Sequence, residues 1–160
     1  MLVILGVCTA CDQAVKGIAQ QSLIGERPIS LLNNLIRLEY VENAGAILGL
    51  GASLPSAVRL TLMSVFVAGA LAMAFFFAYK PPPQLGWVQL AGVSLVAAGG
   101  LGNLIDRIFN QGRVIDFVSF GIGGLRTGVM NLADIAIFFG ALIFFVFYRL
   151  DNPTRETTTT

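Results

Sequence analysis

The chain has 160 residues, 56% hydrophobic and 12% charged, against about 25% charged in a typical soluble domain; with a mean hydropathy of +0.79, a water-soluble globule is excluded and one domain in a lipid solvent fits. Histidine is absent, which excludes a Ser-His-Asp triad, a Cys-His pair and a His-ligated metal. Ten Lys plus Arg against nine Asp plus Glu leave a net charge of +1, without the basic face that a nucleic acid requires, and Cys8 and Cys11 alone make no disulfide scaffold.

The first element is an apolar span over about residues 1–23. Met1 to Ala10 is apolar, and Asp12 and Lys16 follow at i and i+4, an ion pair on one helix face in or near the membrane. Leu5-Gly6-Val7-Cys8 has the outline of a lipid-attachment box, but Val7 is larger than the residue expected there and no basic residue precedes the apolar stretch. The segment therefore reads as a retained span. Cys8-x-x-Cys11 has redox spacing on an apolar face with no nearby charge to lower a thiol pKa, which favours packing. In the connection 24–56, Ile36, Leu38 and Tyr40 alternate with Arg37, Glu39 and Val41, the period of a half-buried strand, before Glu42-Asn43-x-Gly45.

A second span covers 57–79, interrupted only by Arg59, and Lys80-Pro81-Pro82-Pro83 then forms a tight linker. The third, 87–105, contains Gly99-Gly100-x-Gly102, small residues suited to close helix packing and misplaced for a nucleotide loop. It runs into Asn103-x-x-Asp106-Arg107. In the connection 106–130, Arg113 to Phe120 and Leu125 to Met130 read as two strands around the turn Gly121-Ile-Gly-Gly124. The fourth span, 131–150, opens on Asn131-x-x-Asp134 and closes on Tyr148-Arg149, a surface-seeking aromatic and cation. Residues 1–150 form one membrane-embedded unit, and 151–160, ending in four threonines, a disordered tail.

Four spans put both termini on one side, with the two long connections opposite. Counting cations literally, Lys80, Arg149 and Arg155 oppose Lys16, Arg27, Arg37, Arg59, Arg107, Arg113 and Arg126, which would put the long connections in the cytoplasm. Several of the seven sit beside Glu26, Asp106 and Asp116, so the count alone does not decide orientation.

Ionisable groups in or at the edge of spans are functional candidates, and here they fall into four clusters at span ends facing the long connections. Asp116, in an otherwise apolar strand, and Asp134, with no further charge until Arg149, are the pair singled out. Brought together in a low-dielectric site they would share a proton, the ionised member activating water while the protonated one polarises a carbonyl, with no metal or cofactor needed. Bland readings stand beside this one. Asn131 could simply cap the last helix with Asp134 favoured by the helix dipole; Asp12 and Lys16 could merely neutralise each other; Asp106-Arg107 could be a structural salt bridge. Other functions are open too: a proton-coupled transporter using Asp12, Asp106, Asp116 and Asp134 as a relay, weakened by the absence of an internal repeat, or a structural subunit with buried ion pairs.

Taken together, Asp12-Gln13-Ala-Val-Lys16, Glu42-Asn43-Ala44-Gly45-Ala46, Gly99-Gly100-Leu-Gly102-Asn103-Leu-Ile-Asp106-Arg107, Gly112-Arg-Val-Ile-Asp116-Phe117 and Asn131-Leu-Ala133-Asp134 resemble the bacterial lipoprotein signal peptidases, signal peptidase II. The resemblance implies an α-helical integral membrane protein of the bacterial inner membrane, with four transmembrane helices and a small extramembrane β-sheet cradle on the periplasmic side. It implies an aspartic endopeptidase that removes the signal peptide from diacylglyceryl-modified prolipoproteins just before the lipidated Cys. Asp116 and Asp134 match the catalytic pair; Asn43, Gly45, Asn103, Asp106, Arg107 and Asn131 match residues that line or brace the site; Asp12 and Lys16 match a supporting pair. Partners are then the prolipoprotein and membrane lipid, no nucleic acid, with the chain a monomer. Ile47 and Leu48 depart from the family, which more often has a Phe there, so lipid contacts in that connection differ.

Overall fold

The four apolar runs are the four long helices of the structure, a computed structural model that describes residues 1–44, 55–80 and 85–151. They are α1 (Leu2–Leu23), α2 (Ser56–Tyr79), α3 (Trp87–Phe109) and α4 (Leu132–Asp151). Their lengths of 20 to 24 residues correspond to roughly 30 to 36 Å at 1.5 Å per residue, enough for the hydrocarbon core of a bilayer. Among the described residues all four helices are apolar enough to span a membrane, so the protein is multi-pass.

Their packing is that of a membrane protein. The central helix is α3, against which α1, α2 and α4 all pack, and its buried face is made of small side chains: Ala97, Ala98, Gly99, Gly100 and Gly102. A Cβ at Gly99 would run into the backbone oxygen of Ala133 on α4, and one at Gly102 would stand 2.6 Å from Asp12 Oδ2 on α1. The glycine pattern therefore serves close helix approach. Large apolar side chains such as Phe75, Phe138 and Phe145 point outward, where lipid replaces water as their solvent.

On one end of the bundle lies a four-stranded antiparallel sheet, β1 (Ile29–Leu31), β2 (Ile36–Asn43), β3 (Val114–Ile122) and β4 (Leu125–Arg126), in that spatial order. The chain enters β3 through a turn at the end of α3. There Asn110 N–H donates to the Asp106 carbonyl and Gly112 N–H to that of Arg107, with Gln111 (φ 56°) and Gly112 (φ 83°) in the left-handed region. This sharp reversal brings β3 directly back over the helix end. β2 pairs with β3 from Ile36↔Phe120 to Asn43↔Val114, with an irregularity between Leu38 and Val41.

Several boundaries differ from the sequence expectation. α3 continues to Phe109, four residues past 105. Asp12 and Lys16 lie in the middle of α1 and not at its end, because α1 rises past the level where α4 begins and packs its later residues against β2 and β3. In β2 every residue but Glu42 is half-buried, with no strict alternation, since neither face is fully covered. After the glycine turn β4 pairs for only two residues, and Met130 then bridges Val118 just before α4. Cys8 is half-buried, but Cys11 is exposed on the outside of α1 and does not pack. Gly45, Ile47, Leu48, Pro81 to Pro83 and the tail 152–160 lie outside the described residues.

Candidate active site

Asp116 reaches the site because β-strand alternation puts it on the same face as Val114 and Val118, all three buried against the helix ends. Its cross-strand neighbour is Val41, and the diagonal position two residues on is Asn43, whose Nδ2 donates to Asp116 Oδ2 at 2.9 Å. The other oxygen, Oδ1, accepts from Asn131 Nδ2 at 2.7 Å. Asp116 is only 1% exposed. Burial pushes its carboxyl up to about 6, and the negative charge of Asp134 adds to the rise, while the Asn43 and Asn131 amides and the Lys16 ammonium oppose it.

Asp134 stands in the first turn of α4, half-buried. Its backbone N–H donates to Asn131 Oδ1 at 2.9 Å, an N-cap contact, and its Oδ1 accepts from Asn103 Nδ2 at 2.8 Å. Capping and site assembly are thus one arrangement: Asn131 caps α4 with its oxygen and holds Asp116 with its amide.

Behind the carboxylates lies a buried polar network. Lys16 Nζ contacts Asp12 Oδ2 at 2.8 Å, Asp106 Oδ2 at 3.0 Å and Asn103 Oδ1 at 3.0 Å. Asp12 Oδ1 also accepts the Ala133 N–H at 2.9 Å, and Asp106 Oδ2 the Ile115 N–H at 3.0 Å. Asp106 therefore pairs with Lys16 across helices, and not in the expected bridge with Arg107. The Arg107 side chain, 6% exposed, donates from Nη1 to the Asn103 carbonyl at 3.1 Å. Gln13 belongs to the Asp12-to-Lys16 motif, yet no separate role for it is legible in the sequence. It donates to Asp106 Oδ1 at 2.9 Å and to the Gly102 carbonyl at 3.1 Å, tying α1 to α3.

Asn43, Asn103, Arg107, Asp116 and Asp134 all line one cavity of about 260 Å³, whose remaining walls are apolar: Phe66 and Val67 from α2, Gly100 and Leu104 from α3, Val114 from β3 and Ile137 from α4. Of the expected site residues, Asp12, Lys16, Asp106 and Asn131 stand behind these, and Gly45 is outside the described residues. Nearby on the solvent side, Arg113 Nη1 meets Glu42 Oε2 at 2.8 Å; the Arg113 and Tyr40 hydrogen bonds lower the Glu42 pKa, while burial and the Glu42 contact raise that of Tyr40. Among the described residues no cluster of His, Cys, Asp and Glu could hold a metal ion.

The family model for signal peptidase (SPase) II matches residues 4–150. The chain belongs to the signal peptidase II family. It is 31% identical over 150 residues to the lipoprotein signal peptidase of Desulforapulum autotrophicum, covering 94% of this chain and 91% of that one. With the lipoprotein signal peptidase of Chlorobium phaeovibrioides it shares 37% over 128 residues, 75% of this chain and 72% of the other. Two solved structures, each described as a bacterial membrane enzyme obtained by the in meso method, share its fold. One superposes with a TM-score of 0.79 at 20% identity over 99% of this chain and 92% of that one, the other with 0.74 at 21% over 98% and 93%. As a signal peptidase II, the chain is a membrane-embedded protease of lipoprotein processing, with four helices and a small antiparallel sheet. Nothing in these likenesses favours the transporter alternative.

Proposed function

We propose that Asp116 and Asp134 are the catalytic pair of an aspartic endopeptidase that cuts diacylglyceryl-modified prolipoproteins just before the lipidated Cys. The observation that carries this reading is the convergence of two carboxylates, from a strand and from a helix start, on one largely apolar cavity, each held by carboxamide donors. Asp116, pushed up to about 6 by burial, carries the proton and polarises the scissile carbonyl. Asp134, half-buried and lining the cavity, is the base that takes a proton from the attacking water. Asn43, Asn103 and Asn131 hold the two carboxylates, Asp106 and Arg107 brace the end of α3, and Gly45 belongs to the connection that follows Asn43. Asp12 and Lys16 support the site from α1.

The apolar walls suit a signal helix and its lipid. With the substrate's acyl chains in the bilayer, confinement to the membrane replaces much of the recognition energy a soluble protease needs. Residues 1–150 act as a single peptidase unit in the bacterial inner membrane, as a monomer, with the sheet and cavity on the periplasmic side and the tail 151–160 in the cytoplasm.

The test is release of the signal peptide from a diacylglyceryl-modified prolipoprotein by the protein reconstituted in lipid. Asp116→Asn and Asp134→Asn keep the side-chain shape and remove the acid. Each should lower kcat by roughly 10⁴-fold or more, the scale on which loss of a group acting as part of a catalytic unit is felt. Near-parent activity in either folded variant sinks the assignment.

A further inference from the structure

The contacts behind Asp134 begin on a different helix. An ammonium has three donors, and Lys16, 2% exposed, directs them at three acceptors: Asp12 Oδ2, Asp106 Oδ2 and Asn103 Oδ1. The two carboxylates account for its charge. The third acceptor is neutral, and it is the one that touches the catalytic pair. A carboxamide can turn over, exchanging its acceptor end for its donor end. At Asn103 this freedom is removed, because Lys16 and Asn131 Nδ2 both donate to Oδ1, at 3.0 and 3.1 Å, leaving Nδ2 to face Asp134 Oδ1 at 2.8 Å. Turned over, the amide would set N–H against an ammonium and a lone pair against a carboxylate.

From this geometry we infer that Lys16 is a positioning residue for the reaction: acting through Asn103, it fixes which end of the carboxamide meets Asp134 and so keeps that carboxylate supplied with a donor and aimed into the cavity. The inference rests on the proposed roles of Asp116 and Asp134. It goes beyond a supporting ion pair, because neutralising Asp12 and Asp106 would require only the charge of Lys16 and not its contact with Asn103.

The two roles separate when one double variant is read against two references, the parent for the buried charge and Asp106→Asn for the loss of Asp106. Two carboxylates and one ammonium leave a net charge of minus one in the Asp12, Lys16, Asp106 cluster; Lys16→Met with Asp106→Asn leaves the same. Asp106→Asn alone brings the cluster to zero net charge and keeps Lys16 on Asn103. With a diacylglyceryl-modified prolipoprotein in lipid, the double variant should have a kcat roughly 10- to 100-fold below both references, the size that loss of an orienting partner reaches, with KM unchanged. When Asn103→Ala is added to all three proteins, the differences should vanish, since the relay has already been cut. Should the double variant not fold, Asn103→Leu carries the test: it keeps nearly the same shape and adds no charge, gives Lys16 no acceptor and Asp134 no donor, and it should lose kcat to the same extent. Parent-like kcat in Asn103→Leu, a double variant equal to either reference, or a Lys16 loss that persists in full beside Asn103→Ala overturns the inference. If those results come with inactive Asp116→Asn and Asp134→Asn, the catalytic pair stands without the relay; activity in either of the latter removes the pair itself.

Discussion

Asn131 donates to Asp116 and accepts the backbone N–H of Asp134, so one fully buried side chain couples the strand-borne carboxylate to the helix-borne one. The sequence offered a cap and a catalytic pair as rival explanations of Asp134; the structure shows the cap and makes the two compatible, because an N-cap uses only the side-chain oxygen and leaves the amide for another partner. What could not be read was the partner, since Asp116 lies fifteen residues away on another element. The same holds for Gln13, whose acceptor on Asp106 is 93 residues distant. At this scale Asp116 gives a stability test. Its pKa rises from an ordinary 3.8 to about 6 on folding, mainly by burial, so between those values the folded protein holds a proton that the unfolded chain has released. The stability this confers is complete below the unfolded value and is lost as pH rises through the folded one. Asp116→Asn removes the titration. Its melting temperature relative to the parent should therefore climb as pH is raised from about 4.5 to about 7.5 and level off above; a difference that stays flat or falls would contradict the raised value.

The spans were legible because length and apolarity are properties of a continuous run, and β3 because Asp116 interrupts an otherwise apolar strand. The offset of α1 along the membrane normal was not, since how far one helix rises past another is fixed by contacts such as Asp12 with the Ala133 N–H, which no local pattern encodes. Small residues in α3 were readable as packing sites, and the structure shows what each one packs against. Gly99→Ala would drive a methyl group into the Ala133 carbonyl, and Gly102→Ala would put one 2.6 Å from an Asp12 oxygen; each should cost about 1 to 3 kcal/mol, the penalty of overpacking a close contact. Gly17, on the same α1 that carries Asp12, has nothing within 4 Å of the added carbon. There Gly→Ala should stabilise by roughly 0.5 to 1 kcal/mol through helix propensity alone. Thermal unfolding of the three variants in one lipid or detergent checks the order; a Gly102→Ala protein as stable as Gly17→Ala would mean that α1 and α3 are not in contact at Asp12.

At the scale of the whole molecule, orientation is the point on which the sequence disagreed with itself, and the ion pairs of the structure narrow the charge count. Of the seven cations counted on the long-connection side, Lys16 is tied to Asp12 and Asp106, and Arg113 pairs with Glu42, so these two carry carboxylate partners. That reduces the count from seven against three to five against Lys80, Arg149 and Arg155. A rule that counts short-loop cations near span ends then has an excess of two in place of four to act on, and the proposed periplasmic placement of the sheet is a matter for labelling. The consequence is measurable in cells. In a background with Cys8 and Cys11 replaced by Ser, single cysteines at Asn33, in the turn between β1 and β2, and at Leu125, in β4, should react with a membrane-impermeant maleimide in intact spheroplasts. A cysteine at Lys80, where α2 ends at the opposite face of the bundle, should react only after the membrane is opened. The reverse pattern would put Asp116 and Asp134 on the cytoplasmic side, where the literal cation count places them, and a peptidase acting on prolipoproteins after their export would have to be abandoned.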